Sequence, residues 1–299
     1  MSNEYDPGSG AISVEGRSPG AVFGLLGDES RLQILQALGE TPDEPVPFAE
    51  LHRRSGVDDS GRFNYHLGKL RGTFVRRTDD GYELTYAGRQ VIGAIYAGLY
   101  TANATVEAIP VEGSCPVCGG GLVAEYAEET ATVDCTACED FHNDFGFPPG
   151  SLDQFEPEEL PLAFDRWMCH VIRGVIDGFC YTCAGRMDGR LVVDDADEGI
   201  GGLPAHAEFE CDRCGSTATT SGGAPMLYHP AVAGFLYDHG FENGRTPTWE
   251  LGAVGLPTGE LLSESPPRMR VQLEHDGERV VTTLEDDMSI SSVERITVG

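Results

Sequence analysis

The first hundred residues alternate between short apolar stripes at helical spacing and polar turns. Leu32, Leu35 and Leu38 recur every three residues, which places their side chains on one face of a helix. Asp28 stands before this stripe as an N-cap, and Ser18 with Pro19 forms a second helix-start signal. The pattern predicts four helices, at residues 19–26, 28–38, 47–55 and 60–72.

The third and fourth predicted helices are joined by a tight turn, residues 56–59, that begins with a glycine. Two short helices joined in this way form a helix-turn-helix. The third helix is expected to bury Phe48 and Leu51. In the fourth helix, an apolar core stripe is expected from Phe63, Leu67 and Leu70. Its other face is predicted to carry side chains that can reach phosphates and base edges, namely Arg62, Asn64, Tyr65, His66 and Lys69.

A β-hairpin and a fifth helix complete this pattern. Residues 74–78 and 82–85 are predicted as strands around the turn Asp79-Asp80-Gly81. Residues 87–101 are predicted as a helix with Val91, Ile95 and Leu99 on one stripe. This order of elements is that of a winged helix-turn-helix domain, and the exposed apolar stripe predicts packing against a second copy, a homodimer.

The charge distribution changes how this segment is interpreted. The net charge is -29, which would normally argue against nucleic acid, and Lys69 is the only lysine. The acids are spread along the chain, as expected for a protein adapted to molar salt, where carboxylates stay hydrated. Residues 52–77 instead carry seven basic against two acidic residues, a local excess of five positive charges.

Three motifs resemble the ArsR-type winged helix regulators in the form found in halophilic archaea. They are Asp28 to Leu35 (DESRLQIL), Tyr65 to Leu70 (YHLGKL) and Asp80 to Thr85 (DGYELT). The resemblance covers about residues 18 to 105 and implies a winged helix fold and DNA binding. Metal-sensing members carry paired cysteines at the start of the recognition helix. This chain has no cysteine before Cys115, so a metal-sensing role does not carry over.

Eight of the nine cysteines form four C-x-x-C pairs in the second half of the chain. Two thiolates spaced in this way can hold one ion, and two such pairs supply a tetrahedral site with four sulfur ligands. Candidate ribbon strands lie at residues 122–126, 131–133, 190–193 and 207–210. The pattern predicts two structural zinc sites, with ligands Cys115, Cys118, Cys135, Cys138, Cys180, Cys183, Cys211 and Cys214.

Some alternatives to this interpretation stay open. Disulfides are disfavoured in a reducing cytoplasm, whereas rubredoxin-type iron and crossed pairing of the motifs are not settled. Cysteine at all four positions leaves no place for substrate, which favours a structural role. The ninth cysteine, Cys169, and the adjacent His170 are interpreted as core residues of a helix within residues 156–178. His229 and His239 have no evident third ligand and are interpreted as structural or surface residues.

The C-terminal part is predicted to contain further helices and strands. Residues 229–239 are expected to be helical, and residues 248–251 to be a strand. Residues 268–273 and 279–284 alternate around Asp276-Gly277 as a terminal β-hairpin. This half resembles the zinc-ribbon-bearing C-terminal domain that follows the winged helix in haloarchaeal regulators.

Together these patterns predict an α+β protein with three segments. They are a disordered tail at 1–17, a winged helix-turn-helix domain at 18–108, and a zinc-ribbon-containing regulatory or interaction domain at 109–299. The leading hypothesis is a sequence-specific transcriptional regulator that binds double-stranded DNA as a homodimer. The predicted DNA-contacting residues are Ser60, Arg62, Asn64, Tyr65, His66, Lys69, Arg76, Arg77 and Gly81.

Other classes of function are weighed against this one. A winged helix joined to a zinc ribbon is similar to archaeal transcription factor E, which favours a scaffold that contacts transcription-machinery proteins. No nucleotide-binding loop, Ser/His/Asp set or H-E-x-x-H motif indicates an enzyme. No apolar run of 18 residues and no signal-peptide pattern is present, which predicts a cytoplasmic protein without a membrane span.

Overall fold

A computed structural model describes residues 13–194, 202–242, 244–251 and 258–298. The chain divides into two compact units, Met1–Thr101 and Ala102–Gly299. The division falls ahead of residue 108, the predicted end of the first domain, because residues 106–111 pair with a strand of the second unit. The predicted tail at 1–17 lies mostly outside the described residues.

The described residues of unit 1, from residue 13 onward, form five helices and a short hairpin. Side-chain caps start three of its helices: Asp28 accepts from the amide of Ser30 at 3.0 Å, Asp59 from the amide of Arg62 at 2.6 Å, and Thr85 from the amide of Gly88 at 3.1 Å. The helices are α1 Pro19–Phe23, α2 Glu29–Gly39, α3 Phe48–Ser55, α4 Ser60–Leu70 and α5 Tyr86–Tyr96. Gly56 ends α3 in the left-handed conformation, with φ 68°, which produces the tight turn into α4.

The hairpin consists of β1 Val75–Arg77 and β2 Tyr82–Leu84, paired antiparallel. Val46 lies along the free edge of β2 and exchanges two backbone hydrogen bonds with Tyr82, at 2.8 and 2.9 Å. The predicted fifth helix is too long at its C-terminal end. It stops at Tyr96 because Gly98 turns the chain with φ 67°, so the stripe Val91, Ile95 and Leu99 does not lie on one helix.

The core of unit 1 is formed where these elements meet. Phe63, Leu67 and Leu70 are at most 1% exposed, as the stripe in α4 predicts. Burial of such a side chain stabilises the fold by roughly 1.5–3 kcal/mol. The prediction that Phe48 is buried is wrong, because its side chain is 39% exposed. Its ring lies at the edge of the core and contacts the Phe63 ring edge-on, with centroids 5.1 Å apart.

Unit 2 begins with a four-stranded antiparallel sheet in chain order, followed by a long helix. Its strands are β3 Val106–Val111, β4 Leu122–Ala127, β5 Thr130–Cys135 and β6 His142–Gly146. The predicted strands at 122–126 and 131–133 fall within β4 and β5. Two short 3-10 turns lead into α6 Leu160–Ile176, whose apolar face packs on this sheet through Phe164 and Leu160.

A three-stranded sheet and three short helices follow. They are β7 Met187–Val193, β8 Ala205–Cys211, β9 Thr217–Ser221, α7 Ala224–Leu227, α8 Pro230–Asp238 and α9 Thr248–Leu251. The strand predicted at 248–251 is wrong, since this segment is helix α9. Asp165 of α6 accepts hydrogen bonds from the amide and the hydroxyl of Thr248, at 3.1 and 2.5 Å, and so fixes the start of a helical turn. Trp249 is buried and donates to the carbonyl of Glu112 at 3.0 Å.

The unit ends in a second four-stranded antiparallel sheet. Its strands are β10 Thr258–Glu264, β11 Pro267–His275, β12 Glu278–Leu284 and β13 Ile290–Thr297. The predicted hairpin at 268–273 and 279–284 is confirmed as the central pair, β11 and β12, and two outer strands extend it. Among the described helices, none is both long and apolar enough to cross a membrane.

Candidate functional site

The eight paired cysteines come together as two clusters in unit 2. In the first, one cysteine pair lies in the turn between β3 and β4 and the other in the turn between β5 and β6. The Sγ atoms of Cys115 and Cys138 are 3.7 Å apart, and those of Cys118 and Cys135 are 3.5 Å apart. All four ligand atoms lie within 4.8 Å of one another.

The second cluster repeats this arrangement. One pair follows α6, and the other lies in the turn between β8 and β9. The Sγ separations are 3.6 Å for Cys180 with Cys214 and 3.6 Å for Cys183 with Cys211, and all four atoms again lie within 4.8 Å. The pairing of the motifs in chain order is therefore confirmed over the crossed alternative.

These distances match the requirements of a bound ion. A zinc–sulfur bond is about 2.3 Å, so the edges of a tetrahedron of four sulfurs measure about 3.8 Å. A disulfide would bring two sulfurs to about 2.05 Å. All nine cysteines are free thiols, so the chain has two four-sulfur clusters positioned for metal binding.

The local backbone explains how each pair points its sulfurs at one position. The residue after the second cysteine is left-handed at Gly119 (φ 75°), Ala184 (φ 53°) and Gly215 (φ 71°). In each of these three turns, its amide donates back to the carbonyl of the first cysteine, at 2.9, 2.8 and 3.0 Å. In these three turns the C-x-x-C segment therefore folds into a closed loop around the ion position. The fourth turn, at Cys135 and Cys138, lacks the left-handed residue.

Backbone amides also point at the sulfurs. The amides of Val117 and Ala137 donate to Cys115 and Cys135, at 3.4 and 3.3 Å. The Ala137 amide is the main cause that lowers the pKa of Cys135 to about 7, whereas burial raises the pKa of Cys138 to about 12. The thiolate is the form that binds metal, so such donors favour the bound state.

Glycines next to the sulfurs leave room for the clusters. A Cβ on Gly120 would lie 3.2 Å from the sulfurs of both Cys118 and Cys135, and 2.7 Å from the Cβ of Ala137. A Cβ on Gly185 would lie 3.0 Å from the sulfur of Cys183. The four-cysteine donor set with this close backbone fits a tetrahedral ion that has no free coordination position.

The outer face of α4 is the second candidate site. The described side chains Ser60, Arg62, Asn64, Tyr65 and Lys69 are all exposed there. The Nζ atom of Lys69 lies 5.3 Å from the centroid of the Tyr65 ring, a cation–π contact on the surface. These five predicted contact residues therefore share one accessible surface.

His66 does not belong to that surface, and its predicted place on the outer face is wrong. Its side chain is buried, with 7% of the residue exposed, because position 66 falls between Phe63 and Leu70 on the core side of α4. Its Nδ1 atom lies 3.4 Å from Oδ1 of Asp28, a contact that is too poorly aligned for a hydrogen bond.

The hairpin places its predicted residues differently from one another. Arg76 and Arg77 are both exposed, and Arg76 is also bound to Glu83 through Nε at 2.5 Å. Asp79 and Asp80 are the exposed residues of the predicted turn Asp79-Asp80-Gly81, whereas Gly81, a predicted DNA-contacting residue, is less accessible. Gly81 is half-buried and packs so closely on the backbone of Val46 that a Cβ there would collide with the Val46 carbonyl.

The basic cluster, the seven basic side chains within residues 52–77, is partly neutralised by carboxylates of the same unit. Glu50 lies just outside the predicted cluster and accepts from Arg53 at 2.6 Å and from Arg54 at 2.7 Å. Hydrogen bonds from these arginines, Arg53 first, lower the pKa of Glu50 to about 2. Its spacing of three and four residues from the arginines is the sequence signal for these pairs. In the part of the chain that the structure describes, four basic side chains of the cluster have no carboxylate partner, namely Arg62, Lys69, Arg71 and Arg77.

Arg17 is a further basic residue beside this surface that the sequence patterns did not single out. Its guanidinium donates to the carbonyl of Gly72 at 3.2 Å and to the hydroxyl of Thr73 at 2.8 Å. It therefore ties the chain before α1 to the segment that follows α4. No local pattern signals this contact, since 55 residues separate Arg17 from Gly72.

Two antiparallel sheets, each with a four-cysteine cluster beside it, define a protein with two zinc-ribbon-like modules. The chain belongs to the family described as "Domain of unknown function (DUF7351)", whose model matches residues 112–290. A second model, "Domain of unknown function (DUF7347)", matches residues 19–95. No curated protein matches the chain.

Proposed function

We propose that the chain is a sequence-specific DNA-binding transcriptional regulator with two structural zinc sites. The observation that carries the proposal is the division of α4 into two faces. Phe63, Leu67 and Leu70 are buried, while Arg62 and Asn64 stand in solvent with the other polar side chains of that face.

In this proposal unit 1 is a winged helix-turn-helix domain of the ArsR-like, haloarchaeal type. Helix α3, the turn at Gly56 and α4 form the helix-turn-helix, and β1 with β2 forms the wing. Helix α4 enters the major groove, where arginine suits guanine and asparagine suits adenine, so Arg62 and Asn64 read bases. Ser60, Lys69 and Arg77 contact phosphates, and Arg76 does so if it leaves Glu83.

Dimerisation is part of the same proposal. Phe23, Tyr96, Leu99 and Tyr100 of unit 1 expose 47–87% of their surface. Large apolar side chains clustered in sequence around α1 and the end of α5 are suited to pack on a second copy. A symmetric dimer would read two half-sites about 34 Å apart.

Zinc is the proposed ion because four thiolates in a tetrahedral arrangement are its usual structural site. When bound, the ion would cross-link two turns of the first sheet, or in the second ribbon the segment after α6 and the β8–β9 turn, as a structural element. Rubredoxin-type iron uses the same ligands and is separated from zinc by its visible absorption. The proposal assigns no enzymatic activity to the chain.

The second candidate is a scaffold within the transcription machinery. It is favoured by exposed apolar side chains at the cysteine turns: Phe179 is 62%, Tyr181 54% and Val117 41% exposed. The acidic hairpin tip, Asp79 and Asp80, is also poorly suited to phosphates. Such surfaces suit a protein partner and would require no operator sequence.

Selection from random double-stranded DNA by the full, zinc-loaded chain in molar potassium chloride distinguishes the two. Enrichment of one symmetric site supports the regulator, and the substitutions Arg62→Ala and Asn64→Ala should each weaken binding to it by about 1–3 kcal/mol. Arg53→Ala is the matched control, because this arginine is already paired with Glu50. Recovery of polymerase with no enriched site would favour the scaffold.

A further inference from the structure

The C-terminal sheet carries a third cluster of metal-ligating side chains that contains no cysteine. One ligand atom from each of His239, His275 and Asp276 lies within 4.8 Å of the others. Among the described residues, the remaining groups of this kind are the two four-cysteine clusters. The sequence patterns considered His239 only together with His229, which is not in this cluster.

The fold joins residues that are far apart in the chain. His239 is the C-cap of α8, and His275 is the last residue of β11. Asp276 and Gly277 form the tight turn into β12, both with positive φ (47° and 75°). The rings of the two histidines meet edge-on, with centroids 5.0 Å apart, so the hairpin turn is set against the end of the helix.

A hydrogen bond orients the first imidazole. Nε2 of His239 lies 3.2 Å from Oε2 of Glu278, and the same carboxylate is held by Arg295 at 2.5 Å. A carboxylate in an ion pair can only accept, so Nε2 of His239 is the donor in this hydrogen bond. A carboxylate behind a histidine in this way is the usual outer support of a metal-binding imidazole.

The charges around the cluster favour a cation. Asp238 and Glu278 lie close to it, and the guanidinium of Arg295 is paired with both of these carboxylates at 2.5 Å. The cluster also lies at the C-terminal end of α8, where the helix dipole is negative. The Phe235 and Phe241 rings contact His239 and His275, respectively, and limit the movement of both imidazoles.

We propose that His239, His275 and Asp276 bind one divalent first-row transition-metal ion. Two imidazole nitrogens and one carboxylate oxygen suit zinc, cobalt or nickel, whereas magnesium and calcium prefer oxygen alone. Three protein ligands leave a position for water, and the Asp276 side chain is 79% exposed. The ion is therefore exchangeable, unlike one enclosed by four thiolates. This site does not depend on the proposed function.

The test is equilibrium dialysis of the full chain against buffered free zinc, with bound metal counted by mass spectrometry. The wild-type chain should bind three ions, of which one is lost on dialysis into metal-free buffer. The variants His275→Asn and Asp276→Asn should each bind two ions, because the affinity of the third site for zinc falls at least about tenfold. Asparagine tolerates positive φ, so Asp276→Asn keeps the turn.

His170→Gln is the matched control. This histidine lies outside the cluster and is exposed, so its interpretation as a core residue is wrong, and the variant should still bind three ions. Circular dichroism of each variant checks that the sheet is retained. Two ions in the wild-type chain, or three retained in both ligand variants, would overturn the proposal.

Discussion

The imidazole of His66 lies against the carboxylate of Asp28 inside unit 1, with Nδ1 and Oδ1 3.4 Å apart. Asp28 also caps α2 through the amide of Ser30, so the contact joins the core side of α4 to the start of α2. Two adjacent polar positions of the same helix therefore have different roles: His66 faces the interior, and Tyr65 faces solvent.

The substitution His66→Ala should lower the free energy of unfolding by about 1–3 kcal/mol, because it leaves a cavity between α4 and α2. Asn64→Ala is the control on the exposed face and should change the free energy of unfolding by less than about 0.5 kcal/mol. Denaturant unfolding at fixed potassium chloride measures both. The opposite order of effects would show that His66 has no part in the core.

Cys135→Ser should abolish one tightly held ion and leave the second ribbon intact. The loss of one thiolate leaves the first cluster with three ligands. The number of ions bound per chain after dialysis against metal-free buffer should therefore fall from two to one. Cys169→Ser keeps two, because Cys169 is buried in α6 away from both clusters. Metal content and protease sensitivity of residues 112–147 would be measured; unchanged metal content in Cys135→Ser would contradict the assignment.

Gly120→Ala should weaken the first metal site without removing a ligand. Its Cβ would press on the Cys118 and Cys135 sulfurs at 3.2 Å and on Ala137 at 2.7 Å, so one of the two cysteine turns must shift. Competition with a chelator should release this ion at a lower chelator concentration. Gly174→Ala in α6 is the matched control, since nothing lies within 4 Å of its Cβ, and it should stabilise the chain by about 0.5–1 kcal/mol. Equal metal affinity in both variants would count against the packing argument.

Binding to a selected operator should depend weakly on salt. Counterion release scales with the number of phosphates contacted, and few cations of the basic cluster are unpaired. With about two phosphates per subunit, the logarithm of affinity should fall with the logarithm of potassium chloride concentration at a slope of about -4 for a dimer. Glu50→Gln should steepen the slope by freeing Arg53 and Arg54, whereas Glu242→Gln, which alters a pair in unit 2, should not. A wild-type slope near -10 would contradict the prediction.

The sequence alone determined those features that depend on neighbours a few residues apart. Helices α2 to α4 begin and end close to their predicted bounds because caps and apolar stripes act over one or two turns. The cysteine ligands were identifiable because a C-x-x-C turn sets two sulfurs side by side.

Tertiary packing decided the rest, because it joins residues that no local pattern relates. His66 is buried because α2 lies over it, and α9 is a helix because Asp165 caps it from 83 residues away. The same holds for His239, which reaches His275 only through the docking of α8 on the last sheet. Local periodicity determines which face of a helix or strand is apolar. The partners of a polar side chain depend on contacts between residues far apart in the chain, and the free energy of those contacts cannot be read from the local sequence.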